Sequence, residues 1–310
     1  MRFGLGLFLL LALLNPAWGC QPGEDCTAGA GAYRVAPPPN WDGHSPLPTM
    51  IYFPGYKTTA ADTMADIDIH GTAQRLGVLL VALEPAGGRW DLPPFGPPRR
   101  DEAAYVAAVL DAVEHDYPVD HSQLLAAGFS IGASMLWYLA CSPPPSLSGR
   151  FTAFAAMSGT FWLPQPQTCA GPPFSLIQLN GTADKVFPIH GRSIQNGHMR
   201  QGDSIEAVDM LRRHDSCPMA AHRQDRMSTL GSADTSRLGS AKTPTPSGDT
   251  MPCDVDEACA SGTRVRMCIH SGQHEVEGFW IDTAWIFTRQ IAASRQREMS
   301  QGLRLQNHGG

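Results

Sequence analysis

Apolar residues fall along this chain in short unbroken runs closed by turn-forming residues. Residues 50–53, Met-Ile-Tyr-Phe, stop at Pro54-Gly55, and residues 78–83 stop just before Pro85. Runs of this length without polar alternation predict strands covered on both faces, as in a parallel sheet. From residue 101 the period lengthens. Val106, Val109, Leu110 and Val113 recur at helical spacing, acidic residues open the segment and Pro118 stops it, so an amphipathic helix is predicted. A strand over 123–129 and a helix over 131–141 follow, and the prolines at 143–145 end that helix. Further strands are predicted over 151–157, 174–179 and 264–270, the last with Val265, Met267 and Ile269 alternating, and further helices over 205–213 and 280–291. Strands interleaved with helices predict an α/β fold, a mostly parallel sheet with helices on both faces.

Three stretches stand outside this pattern. Residues 228–250 are rich in Ser, Thr, Gly and Pro without periodicity, which predicts a flexible surface insertion and a candidate lid. Residues 295–310 read as a polar, disordered tail. At the other end, Met1-Arg2, an apolar run over 3–14, Pro16 and the small residues Ala17 and Gly19 read as a signal peptide over 1–19, too short for a transmembrane helix. Cleavage after Gly19 would leave Cys20 first. That admits a lipid-anchored form as an alternative, which bulky Trp18 disfavours. No other segment is apolar enough to span a bilayer, so residues 20–294 are expected to form one secreted or periplasmic domain.

Composition supports export. The eight cysteines are an even number without a C-x-x-C pair, which favours disulfides over metal ligands in an oxidising compartment and leaves their pairing open. Lys and Arg number 23 against 29 Asp and Glu, a net charge of -6 with no basic cluster, which argues against a nucleic-acid partner.

The candidate chemistry starts at Gly128-Phe129-Ser130-Ile131-Gly132. A G-x-S-x-G motif alone is weak, but here it lies between a predicted buried strand and a predicted helix, the context of a nucleophile elbow. A serine hydroxyl needs a base to take its proton and a carboxylate to orient that base, later in the chain in the order Ser, Asp, His. Asp184 follows a predicted strand in "LIQLNGTADKVFP"; the alternative is a turn-forming aspartate. "VRMCIHSGQHEVEGFW" offers His274 in a loop as the base and His270 at the strand end as a packed residue. This H-x-x-x-H pair lacks the helical face and the glutamate of a zinc motif, so no metal and no other cofactor is expected. Backbone N–H groups of Ile131 and Tyr56 are the candidates for an oxyanion hole. Trp90 and Trp162, near predicted loop edges, are candidates for substrate contact or for loop packing.

With these residues in view, the chain resembles the secreted polyhydroxybutyrate depolymerase-like and feruloyl esterase-like branch of the α/β-hydrolases. The resemblance runs from about residue 33 to 285 on "YRVAPP", "IYFPGY", "RRDEAAYVAAVLDAV", "YPVDHSQLLAAGFSIGASMLWYLAC", "NGTADKVFP", "DSC" and "SGQHEVEG", in family order. It implies Ser130 as nucleophile, Asp184 as acid and His274 as base. It also implies disulfides Cys141–Cys169 and Cys217–Cys259, with Cys20–Cys26 and Cys253–Cys268 completing the set. Three positions depart from the family: Pro54 stands where His is usual, and Gln273 and Ala133 where Gly is common. The implied activity is that of a secreted serine esterase on hydroxyalkanoate oligomers, with feruloyl or acetyl esters of plant polysaccharide as the alternative. A peptidase or a non-catalytic binding protein on the same fold are the remaining rivals.

Overall fold

A computed structural model describes residues 19–218, 241–244, 250–254 and 258–307. Nearly all of the expected signal peptide and most of the 228–250 stretch lie outside the described residues. Along the chain run β1 (Cys26–Ala28), β2 (Gly31–Ala36), β3 (Leu47–Phe53), α1 (Ala60–Ala65), α2 (Thr72–Leu76), β4 (Leu79–Leu83), α3 (Glu102–Asp116), β5 (Val119–Phe129), α4 (Ile131–Cys141), β6 (Ala153–Met157) and β7 (Leu176–Gly181). They are followed by β8 (Ser193–Ile194), β9 (Met199–Arg200), α5 (Ser204–His214), β10 (Ala241–Pro244), β11 (Thr250–Cys253), β12 (Val265–His270) and α6 (Gly278–Asn307).

Ten strands form one sheet in the order β1-β2-β4-β3-β5-β6-β7-β12-β11-β10. The six central strands are parallel, and an antiparallel pair closes each edge. Strand β3 shows how the two faces are filled. Ile51 and Phe53 pack with Val106, Val109 and Leu110 of α3, whereas Met50 and Tyr52 pack with Trp280, Ile281 and Phe287 of α6. The two-residue alternation of a strand thus reads as an unbroken apolar run because both faces are covered. The parallel arrangement brings the C-terminal ends of β3, β5, β7 and β12 to one side of the sheet, where ligand sites of open α/β sheets form.

The strand expected over 264–270 is β12, buried throughout; Arg266 is accommodated by laying its guanidinium over the Phe287 ring at 5.0 Å and donating to Gln290 Oε1 at 2.9 Å. Two expectations need correction. The last helix does not end at 291 with a disordered tail; it continues to Asn307. Beyond Ile291 the sequence holds good helix formers without an apolar stripe, and Ser294 and Ser300 hydroxyls donate to the carbonyls of Gln290 and Gln296. Within the expected insertion, Ala241–Pro244 pairs antiparallel with Thr250–Cys253.

All four disulfides implied by the resemblance are present: Cys20–Cys26, Cys141–Cys169, Cys217–Cys259 and Cys253–Cys268. Cys253 and Cys268 face each other across β11 and β12, and Cys141–Cys169 ties the end of α4 to the segment leading into β7. Among the described residues, no helix is long and apolar enough to cross a membrane.

Candidate functional site

Ser130 sits at the junction of β5 and α4 with φ 55° and ψ -124°. A non-glycine residue in this region is strained, and such strain persists only where neighbours hold it. Here the Ser130 N–H donates to the Met157 carbonyl at 2.9 Å, and the Ser130 carbonyl accepts from the Ser134 N–H at 3.1 Å. The flanking glycines are required by space. A Cβ on Gly128 would come within 2.8 Å of the Gly132 backbone, and one on Gly132 would collide with the carbonyl oxygens of Phe53 and Pro54. No side chain caps the N-terminus of α4, so its first amides and its positive dipole end are left for a ligand.

Two loops bring partners to this serine. After β7, Asp184 is buried, and its Oδ1 accepts from the N–H groups of Val186 and Phe187, each at 2.8 Å. After β12, His274 places Nδ1 2.8 Å from Asp184 Oδ2 and Nε2 3.0 Å from Ser130 Oγ. Its ring also lies 4.6 Å from that of Phe129. The loops are laced together, because Thr182 N–H donates to the His270 carbonyl and Ala183 N–H to that of Gly272. Burial alone would raise the Asp184 carboxyl, but the His274 hydrogen bond and the two amides outweigh it and hold the group below the ordinary carboxylate range. A charged Asp184 fixes the proton of His274 on Nδ1 and leaves Nε2 as the acceptor facing Ser130.

His270 has a separate place. Its Nδ1 accepts from the Gly272 N–H at 2.9 Å, and its ring packs on Trp280 with centroids 4.0 Å apart. Burial pushes it down to about 4, so it is neutral in the folded chain at neutral pH. The unfolded chain takes up this proton near pH 6.5 and the folded chain only near 4, so stability present above 6.5 is lost as pH falls across that window. The expected loss is on the order of 3 kcal/mol. Denaturant midpoints measured from pH 7 to 4 should show this slope, and the slope should flatten in His270→Gln.

The turn after β3 approaches the serine closely, since a Cβ on Gly55 would lie 3.6 Å from Ser130 Cβ. Among the described residues, no protein acceptor is found for the amides of Tyr56 or Ile131, the two oxyanion candidates. The tryptophans do not fit the substrate-contact expectation. Trp90 is fully buried and donates from Nε1 to the Pro54 carbonyl at 2.8 Å. Trp162 is also buried; its Nε1 donates to Ser134 Oγ at 3.2 Å, and its ring meets Phe95 and Phe187 edge-on. A loop position says nothing of burial, and both indoles found buried partners.

No protein-family model matches the chain. It is 29% identical over 114 residues to a probable feruloyl esterase C of Aspergillus terreus, covering 36% of this chain and 39% of that protein. It is 30% identical over 93 residues to the feruloyl esterase C of Emericella nidulans, covering 29% and 32%. The chain therefore spans about a third of the length of the curated relatives it matches. Among solved structures, it superposes on an acetyl xylan esterase from Aspergillus awamori with a TM-score of 0.54 at 11% identity, over 85% of this chain and 98% of that one. Strand order, parallel centre and superposition together give this chain the α/β-hydrolase fold, and about a third of its sequence is similar to proteins named feruloyl esterase C.

Proposed function

We propose that the chain is an exported serine esterase. The observation behind this reading is the unbroken hydrogen-bond chain from Ser130 Oγ through His274 to Asp184, set on a strained strand-to-helix turn. In this reading His274 Nε2 takes the hydroxyl proton as Ser130 Oγ attacks the ester carbonyl carbon. The negative charge gathers on the carbonyl oxygen, which receives hydrogen bonds from the amides of Ile131 and Tyr56. As the tetrahedral intermediate collapses, His274 hands its proton to the leaving alkoxide and an acyl-Ser130 ester remains. Water, deprotonated by the same imidazole, then attacks the acyl group and releases the acid. Each side chain ends in its starting state, and no metal or organic cofactor enters the balance. The four disulfides fit an oxidising, exported setting.

For the substrate, similarity to proteins named feruloyl esterase C favours esters of aromatic acids, and the acetyl xylan esterase shares the fold. Hydroxyalkanoate oligomers are the second reading, from the motif resemblance. The purified protein should be given methyl ferulate, an aryl acetate, a soluble 3-hydroxybutyrate oligomer and the amide matching the ferulate ester. Faster turnover of ferulate than of the oligomer, with the amide untouched, is the expected order. The reverse order would move the substrate to hydroxyalkanoates, and amide cleavage would make the protein a peptidase-type enzyme.

A further inference from the structure

The buried Trp90 has a position that packing alone does not require. The turn carrying Tyr56 is held at two points by the segment after β4. On one side of Gly55-Tyr56, the Pro54 carbonyl accepts from Trp90 Nε1 at 2.8 Å. On the other side, the Lys57 N–H donates to the Gly88 carbonyl at 2.7 Å, with Lys57 at φ 59°. Between these points, the Gly55 carbonyl accepts from the Thr58 N–H at 3.3 Å. Since the peptide unit is planar and trans, that bond turns the Tyr56 N–H to the opposite side of the arch, away from the turn's interior. Pro54 has no N–H to contribute, so its carbonyl is the backbone group through which it can be held on that side of the arch.

Trp90 is itself fixed. Its ring packs on Phe53 at 5.2 Å between centroids, and the Arg100 guanidinium lies over it at 5.8 Å. Arg100 pairs with Glu102 at 2.6 Å, both buried, and Glu102 Oε1 accepts from the Asp91 N–H, next to Trp90. A rigid ion pair thus reaches the arch through a single indole N–H.

We propose that Trp90 is a positioning residue for ester hydrolysis, its indole N–H holding the Pro54 carbonyl so that the Tyr56 amide meets the developing oxyanion. This rests on the reading of Ser130 as nucleophile. An oxyanion donor acts in the transition state, so its misplacement lowers kcat and leaves ground-state binding alone.

The test is Trp90→Phe in the full exported chain, with an aryl acetate as substrate. The expected kcat is about tenfold to a hundredfold lower with KM within about twofold. Affinity for a trifluoromethyl ketone, which forms a tetrahedral adduct, should fall by the same factor, and inhibition by the product acid should not change. If Trp90→Phe fails to fold, 3-benzothienylalanine at this position keeps the shape of the indole without its N–H donor and gives the same readout. Unchanged kcat, or a loss confined to KM, in a folded variant overturns the inference. Ser130→Ala run in parallel separates the two readings, because activity surviving in it would remove the nucleophile assignment itself.

Discussion

Ser130→Ala is expected to lower kcat on an ester substrate by about a millionfold while leaving the fold in place. The hydroxyl is the only atom group lost. The backbone bonds that hold the strained turn, from Ser130 N–H to the Met157 carbonyl and from Ser134 N–H to the Ser130 carbonyl, are made by main chain and survive. The melting temperature should therefore stay within about 2 °C of the parent. A residual rate of about a thousandfold over water is expected from the oxyanion site and substrate binding. Initial rates with an aryl acetate and a thermal melt of the same sample check both halves. A large fall in melting temperature would make the activity loss uninformative, and Ser130→Gly, which suits φ 55°, would then replace it.

Asp184→Asn should be nearly as damaging, about ten-thousandfold in kcat, for a different reason. An Asn carbonyl oxygen can still accept from the Val186 and Phe187 amides, so the loop keeps its shape. Its NH2 group would then face His274 Nδ1, where Asp184 Oδ2 now lies at 2.8 Å. Two donors cannot share that contact, so the imidazole moves its proton to Nε2 and can no longer accept one from Ser130. The variant also has a stability signature. Because the folded Asp184 carboxyl is held below its ordinary value, its contribution is present above about pH 4 and disappears as pH falls through the lower folded value. Denaturant midpoints at pH 7 and pH 3 should converge in Asp184→Asn relative to the parent.

The parts of this fold that could be read in the sequence are those in which burial is nearly complete. The apolar runs over 50–53 and 78–83 correspond to Leu47–Phe53 and Leu79–Leu83, and the helix over 131–141 corresponds to Ile131–Cys141, because a two-faced sheet leaves little room for polar residues. The edge strands escaped this logic. Cys26–Ala28 and Ala241–Pro244 are short and hold little apolar area, so nothing in their composition separates them from loop. The helix beyond Ile291 escaped because it is built on intrinsic propensity, with no stripe to reveal it. At the candidate site, motif context pointed to Ser130, Asp184 and His274, which follow three strands far apart in the chain, two of them neighbours in the sheet. The part played by Trp90 was not legible, since its partner is a backbone carbonyl, and backbone partners leave no mark in side-chain pattern.

In the proposed reading, His274 and Asp184 activate Ser130. The most direct test exposes the purified protein to a fluorophosphonate probe and locates any adduct by peptide mass spectrometry. A phosphonyl adduct on Ser130 that is lost in His274→Ala is the predicted result. A folded protein that stays unlabelled at Ser130, or is labelled equally without His274, would contradict the account and leave the glycine-flanked serine as a structural turn.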